Sequence, residues 1–384
     1  MSVLRPLRLL SARTRCPETP PLSDVACLLL AGGQGTRLQQ LTAVDSKPAV
    51  PFAGSNRIVD FAMANAARSG LRRLVVATQY APRSLHHHLR TRWGHCFDKG
   101  GLVLRDGQGD YHGTADAARK CWDLLTEGPE DLVMILSADH VYDMDYGALL
   151  AAHRASGAAV TVAVNPVPLA EARAFGVMQA DGAGLIQSFA EKPERPAAMV
   201  GRPDMALASM GIYVFRRDWL RLALFEGTHP ALDFGHDIIP HAVDRAEAFA
   251  WTLPAGPSGQ AYWRDVGTLD ALRLAQLDFV NAEPARLPFA CPASDWYLGR
   301  GSVAMPGAVV PHSARLTATL VAPGAQVPPG LVTGDDAAED ARWFTRTPGG
   351  TVLITQAMLD RRAAYAGIRR SVTPPSIPRR GLHA

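Results

Sequence analysis

No apolar run in this chain of 384 residues approaches the roughly 18 that a membrane span needs, so a membrane protein is not expected. A disulfide framework is missing too. Cys16, Cys27, Cys96, Cys121 and Cys291 form no C-x-x-C pair and no even set, which points to a reducing cytoplasm. Charge of one sign is scarce: 39 Lys and Arg stand against 36 Asp and Glu, a formal net charge of +3. With no basic stripe among them, nucleic acid is not an expected partner. What is present is ordinary globular material, 47% hydrophobic and 20% charged, with 34 Gly and 29 Pro. That composition suits a loop-rich enzyme with room for a large α/β domain and a smaller one.

Met1 to Leu22 carries Arg5, Arg8, Arg13 and Arg15 but no continuous apolar segment. It has the Arg-rich, acid-poor character of a transit peptide; a flexible bacterial extension or a misplaced start codon fits equally well. From Val25 the texture becomes strand, glycine loop, helix. Val25–Leu30, Leu74–Thr78, Leu132–Leu136 and Val160–Val164 are short apolar runs of the kind buried parallel strands show. Helical stretches over Asp60–Ser69, Ala115–Leu125 and Tyr146–Ala155 lie between them, which predicts a doubly wound α/β sheet. After Val280 helical periods fade. Pro-Gly-Ala-x-Val recurs at Pro306 and Pro323, the hexapeptide texture of a left-handed β-helix, though a Pro/Gly-rich loop region has the same composition. A last helix is expected over Gln356–Tyr365, then a disordered tail from Ser371.

The sharpest chemical signal is Leu30-Ala31-Gly32-Gly33-Gln34-Gly35-Thr36-Arg37-Leu38, followed by Ser46-Lys47-Pro48. A glycine-rich turn after the first strand lets backbone N–H groups approach phosphates, and Arg37 and Lys47 can neutralise them. The spacing is neither the dinucleotide fingerprint nor the P-loop. Asp139, just past an apolar strand, and Asp265, in a Trp-Arg-Asp-Val-Gly turn, are two carboxylates of the kind that hold Mg²⁺ together with phosphate oxygens and water. His86-His87-His88 fan around a helix and read as a polar surface run rather than a metal site.

Taken together, these strings resemble the bacterial glucose-1-phosphate adenylyltransferase (ADP-glucose pyrophosphorylase) family. The matches run from Val25 to about Val280 and resume from Gly334 to Leu359. They include Arg57-Ile58-Val59-Asp60-Phe61, Thr78-Gln79-Tyr80, Gly113-Thr114-Ala115-Asp116-Ala117 and Ser137-Ala138-Asp139-His140. Further along are Phe175-Gly176-Val177-Met178, Glu191-Lys192-Pro193, Ala208-Ser209-Met210-Gly211-Ile212-Tyr213, Asp233-Phe234-Gly235 and Tyr262-Trp263-Arg264-Asp265-Val266-Gly267-Thr268.

The resemblance implies a flexible extension over 1–22, a nucleotidyltransferase domain with a mostly parallel, Rossmann-like sheet over 23–283, a truncated left-handed β-helix over 284–370 and a tail over 371–384. It implies transfer of the adenylyl group of ATP to glucose 1-phosphate with Mg²⁺ as cofactor, in a cytoplasmic homo-oligomer, dimer or tetramer. Leu30, Ala31, Gly32, Gly33, Gly35, Thr36, Gln79, Gly113, Thr114 and Asp116 are carried over as nucleotide positions. Arg37, Lys47, Asp139 and Lys192 become catalytic, with Asp139 and Asp265 as metal ligands. Tyr111, Gly176, Glu191, Lys192, Ser209, Tyr213, Asp233 and Trp263 become substrate positions, and His112 an additional contact.

Departures from the family pattern are Gln34 in place of Arg, Ala138 in place of Gly, and Ala43-Val44-Asp45 where activator-sensitive relatives carry cations. With the shortened β-helix they imply weak or absent activation by fructose 1,6-bisphosphate. Two rival readings are a non-catalytic regulatory subunit of the same enzyme and a sugar-1-phosphate nucleotidyltransferase that uses another nucleotide.

Overall fold

The computed structural model describes residue 22 and residues 24–226, 232–255, 261–281 and 287–371. Apart from Leu22 and Ser371, the expected N-terminal extension and C-terminal tail lie outside the described residues. A nine-stranded sheet organises the larger part. Leu102–Asp106, Leu74–Thr78, Val25–Leu30 and Leu132–Ser137 lie side by side in that order, all parallel. Successive side chains of a strand face opposite ways. Cys27 and Leu29 accordingly enter one core and Leu28 another, one on each face of the sheet. With both faces covered the strand needs no polar position, which is why it stands as an unbroken apolar run. The helix Val59–Arg68 covers the first face with Val59, Ala62, Met63 and Ala66, the three-four spacing of an amphipathic helix.

Beyond Leu132–Ser137 the sheet turns antiparallel. Met205–Arg216 pairs with it and with Val160–Pro168, and Gly176–Ala180 and Ile186–Glu191 continue one edge. Register decides where the chemistry goes. Leu30 pairs with both Ala77 and Ser137, so the loops after three parallel strands leave the carboxyl edge at one level. That edge is where open α/β sheets bind ligands.

Two expectations need correction. The helix expected over Ala115–Leu125 is two helices, Thr114–Lys120 and Trp122–Leu125. Between them Cys121, at φ −99° and ψ 6°, leaves helical geometry while its thiol stays buried against the Tyr111 hydroxyl. The His86–His88 run is also not a polar surface. Only His87 is exposed. His86 Nε2 lies 2.8 Å from Thr78 Oγ1, and buried His88 lies 2.6 Å from Asp60, whose carboxylate also accepts from Trp93 Nε1 at 2.7 Å. His88 shares a helix face with Leu85 and Leu89, and that face packs inward.

The C-terminal part is a short parallel β-helix. Ser302–Ala304, Thr319–Val321 and Val352–Ile354 stack in register, Arg315–Leu316 stacks on Val332–Thr333, and Val309 bridges Gln326 on the third face. The Pro-Gly-Ala repeats form its corners: Ala308 N–H donates to Met305 O at 3.1 Å and Ala325 N–H to Ala322 O at 3.2 Å. Gly307 and Gly324 have φ of 78° and 71°, as the third residue of a type II turn requires.

So few coils bury little by themselves, and the core is shared. Leu269, Leu272, Ala275 and Phe279 join Trp296, Val303, Leu320 and Leu353 in one cluster. Buried Arg273 spans the same boundary, donating to Thr351 Oγ1 at 2.9 Å and Gly301 O at 3.3 Å. Among the described residues no helix is long and apolar enough to cross a membrane.

Candidate active site

Above the carboxyl edge lies a cleft of about 410 Å³. Leu30, Gly32, Gly33, Gln79, Tyr111, Gly113, Thr114, Asp139, Glu191, Lys192, Tyr213 and Asp233 line it. Segments spread over two hundred residues thus meet in one volume. Pro48, Ala77, Ala117, Ser137, Gly211, Phe234 and Gly235 also line it, though sequence reasoning assigns them no role. Most of them stand inside motif strings quoted above, and that adjacency was the available signal.

Lys47 joins the two acids. Its Nζ donates to Asp139 Oδ2 and to Asp265 Oδ1, each at 3.1 Å. The Lys47 side chain is 6% exposed and that of Asp265 17%, whereas Asp139 is 37% exposed. Asp265 arrives because Trp263–Asp265 pairs antiparallel with His140–Tyr142, with Asp265 opposite His140. Gly35, at φ 71°, lets the phosphate loop pass over the lysine stem: a Cβ there would stand 2.6 Å from Lys47 Cβ. Burial opposes the charge of Lys47, but the two carboxylates prevail and raise its pKa. Burial likewise opposes ionisation of Asp139. His140, Lys47 and the 2.5 Å hydrogen bond from Ser137 Oγ prevail there and hold its carboxyl well below the usual range.

Lys47 bridges the two carboxylates, and His140 Nε2 lies 3.5 Å from Asp139 and 3.9 Å from Asp265. Among the described residues no group of three or more His, Cys, Asp or Glu could hold a metal ion. A protein-only cage for a transition metal or Ca²⁺ therefore does not describe the donor set. Asp139 in the cleft lining, with Asp265 joined to it through Lys47, does fit a hard divalent cation that takes its remaining oxygens from phosphate and water.

The other candidates divide. Glu191 Oε1 accepts from Lys192 Nζ at 2.6 Å, and Gly176 and Gly235 leave the space Glu191 occupies. Ser209 Oγ lies 3.5 Å from the Tyr213 hydroxyl just below the lining. Arg37 is exposed and lies beside Gly267 in the turn after Asp265, and Thr36 is exposed on the same loop. Ala31 is buried beneath the loop.

Gln79 closes a two-point clasp on the Tyr111 backbone, donating to its carbonyl at 3.1 Å and accepting from its N–H at 2.7 Å. Two residues face elsewhere. Asp116 is fully buried, accepts from His112 N–H at 3.0 Å and pairs with Arg119 and Lys120, so it braces the loop from behind. The Trp263 ring packs 5.3 Å from His140 and 5.1 Å from Phe175, behind the carboxylates. His112 is exposed at the loop tip.

Comparison with known proteins places this geometry. Residues 26–281 match the family model "Nucleotidyl transferase", and residues 294–354 match "GlmU-like, C-terminal hexapeptide". The chain is 39% identical to glucose-1-phosphate adenylyltransferase 2 of Alkalilimnicola ehrlichii, over 86% of this chain and 93% of the relative. It is 38% identical to the glucose-1-phosphate adenylyltransferase of Jannaschia sp., covering 87% and 96%, and 36% identical to that of Thiobacillus denitrificans, covering 86% and 90%.

Proposed function

Since the chain belongs to the glucose-1-phosphate adenylyltransferases among the nucleotidyl transferases, we propose that its cleft transfers the adenylyl group of ATP to glucose 1-phosphate. The products are ADP-glucose, for α-glucan synthesis, and pyrophosphate. The observation that carries the reading is that Asp139, joined through Lys47 to Asp265, lines the same cleft as the glycine loop, Glu191 and Asp233.

In this reading the glycine loop and the clasped Gln79–Tyr111 pair seat the nucleotide, with its triphosphate over Gly32 and Gly33. Glu191, Asp233, Ser209 and Tyr213 take the sugar hydroxyls, and Lys192 holds the phosphate of glucose 1-phosphate. A phosphate monoester is largely dianionic at neutral pH, its second pKa being about 6. The attacking oxygen therefore needs no general base. The protein contributes positioning and charge. Lys47 and Arg37 offset charge on the departing pyrophosphate. Mg²⁺ held by Asp139 and Asp265 would supply Lewis-acid stabilisation of the phosphate oxygens.

A cytoplasmic setting is part of the same reading; Cys27, Cys121 and Cys291 are buried free thiols, while Cys96 is disulfide-bonded, against the expectation of unpaired cysteines. Leu274 and Leu298, 53% and 40% exposed, supply apolar surface for the homodimer or homotetramer this reading includes.

Nucleotide choice tests the reading. With glucose 1-phosphate and Mg²⁺, mass spectrometry should find ADP-glucose from ATP at least about tenfold faster than the corresponding products from UTP, dTTP or GTP. Faster product from one of those three assigns the site to another nucleotide.

A further inference from the structure

Thr114 stands in a motif read as nucleotide-binding, yet its hydroxyl is committed to Asp233, read as a sugar position. Thr114 Oγ1 donates to Asp233 Oδ2 at 2.9 Å and accepts from Phe234 N–H at 3.0 Å. Asp233 Oδ1 is occupied separately, by the N–H groups of Gly235 at 2.8 Å and His236 at 3.2 Å. Across Gly235 from it is Glu191: a Cβ at Gly235 would stand 2.6 Å from Glu191 Oε2 and 3.3 Å from Asp233 Oδ1. The two acids thus face one small volume, and the Thr114 hydroxyl holds one oxygen of Asp233 while the Gly235 and His236 N–H groups hold the other.

The backbone of this junction is tied independently. Leu232 O accepts from Ala115 N–H at 2.9 Å and Asp116 N–H at 3.2 Å, and Asp237 Oδ2 accepts from Leu232 and Asp233 N–H groups at 2.7 and 2.8 Å. Removing the hydroxyl alone leaves those ties in place, so the loop keeps its course. A carboxylate oxygen offers about two lone-pair directions. With one of them filled by Thr114, Asp233 Oδ2 keeps one acceptor direction for a ligand hydroxyl.

We propose that Thr114 is a positioning residue for the sugar half of the site: through its hydroxyl it orients Asp233 toward the hydroxyls of the sugar phosphate. The proposal rests on the reading of Glu191 and Asp233 as the sugar side of an adenylyltransferase. It moves Thr114 from the nucleotide to the sugar, and it makes one short stretch, Gly113–Thr114, serve both substrates.

The test measures binding of glucose 1-phosphate and of ATP separately, by calorimetry on the full chain, in the wild type, Thr114→Val and Thr114→Ser. Valine keeps the shape and loses both hydrogen bonds; a hydrogen bond to a charged group is worth about a tenfold change in affinity or more. Thr114→Val should weaken glucose 1-phosphate binding about tenfold while ATP affinity changes less than about twofold, and Thr114→Ser should restore the sugar affinity. Steady-state KM values should divide in the same way. Weaker ATP binding in Thr114→Val with unchanged sugar affinity overturns the proposal, as does an equal loss for both ligands. If the wild type binds neither ligand, the adenylyltransferase reading falls first and takes the proposal with it.

Discussion

Lys47→Ala should lower pyrophosphate release by about 10³-fold or more, since loss of one aimed charge at a developing anion costs about 10²–10³. Lys47 does more than supply one charge. It is the cation between Asp139 and Asp265, and without it the two carboxylates lose the charge that joins them. The damage should be specific. Binding of Mn²⁺, a stand-in for Mg²⁺ measured by electron paramagnetic resonance of the free ion, should be retained or tightened, because the competing ammonium is gone. Loss of metal binding along with activity would mean that Lys47 holds the carboxylates in place rather than acting on the triphosphate. Lys47→Arg should not rescue, because a planar fork does not replace a compact ammonium between two acids.

The second large effect belongs to the acids. Asp139→Asn and Asp265→Asn keep the shape of each side chain and remove its charge. Each should reduce activity by about 10³-fold and weaken Mn²⁺ binding by at least about tenfold, the reverse of the metal response expected for Lys47→Ala. The two patterns together separate ligand from counter-ion. An Asp265→Asn enzyme with normal metal affinity and normal turnover would remove Asp265 from the site. Asp139 is the more sensitive of the two in structural terms. Ser137 and Lys47 both hydrogen-bond its ionised form, so asparagine there also leaves those donors poorly matched.

How much of this was legible in the sequence depended on burial. Val25–Leu30 and Leu74–Thr78 lie in the middle of the sheet, are apolar on both faces and could be bounded from the sequence alone. Leu102–Asp106 and Ile186–Glu191 lie at the sheet's edges, the first half-buried over most of its length and the second mixing buried Ile186 with exposed Gln187, Ser188 and Ala190, so no long apolar run announced them. The β-helix corners were legible because Pro-Gly has one strongly preferred turn. The histidine run misled for a tertiary reason: only the packing of Leu85 and Leu89 says which of the three rings goes inside.

The site shows the same division. Residue types and order pointed to phosphate, carboxylate and sugar chemistry, and the cleft collects most of the residues named. Orientation was beyond reach. Nothing local in Gly113-Thr114-Ala115-Asp116 says that the threonine hydroxyl points at Asp233 and the aspartate at its own helix. Nor does anything near Lys47 reveal that its partners are 92 and 218 residues away.

The most direct test of the account is release of pyrophosphate from ATP by the purified full chain at micromolar concentration, with and without glucose 1-phosphate and Mg²⁺. Release should depend on all three and disappear in Lys47→Ala. No release from ATP, UTP, dTTP or GTP under those conditions would contradict it and leave a fold that keeps the cleft without the chemistry.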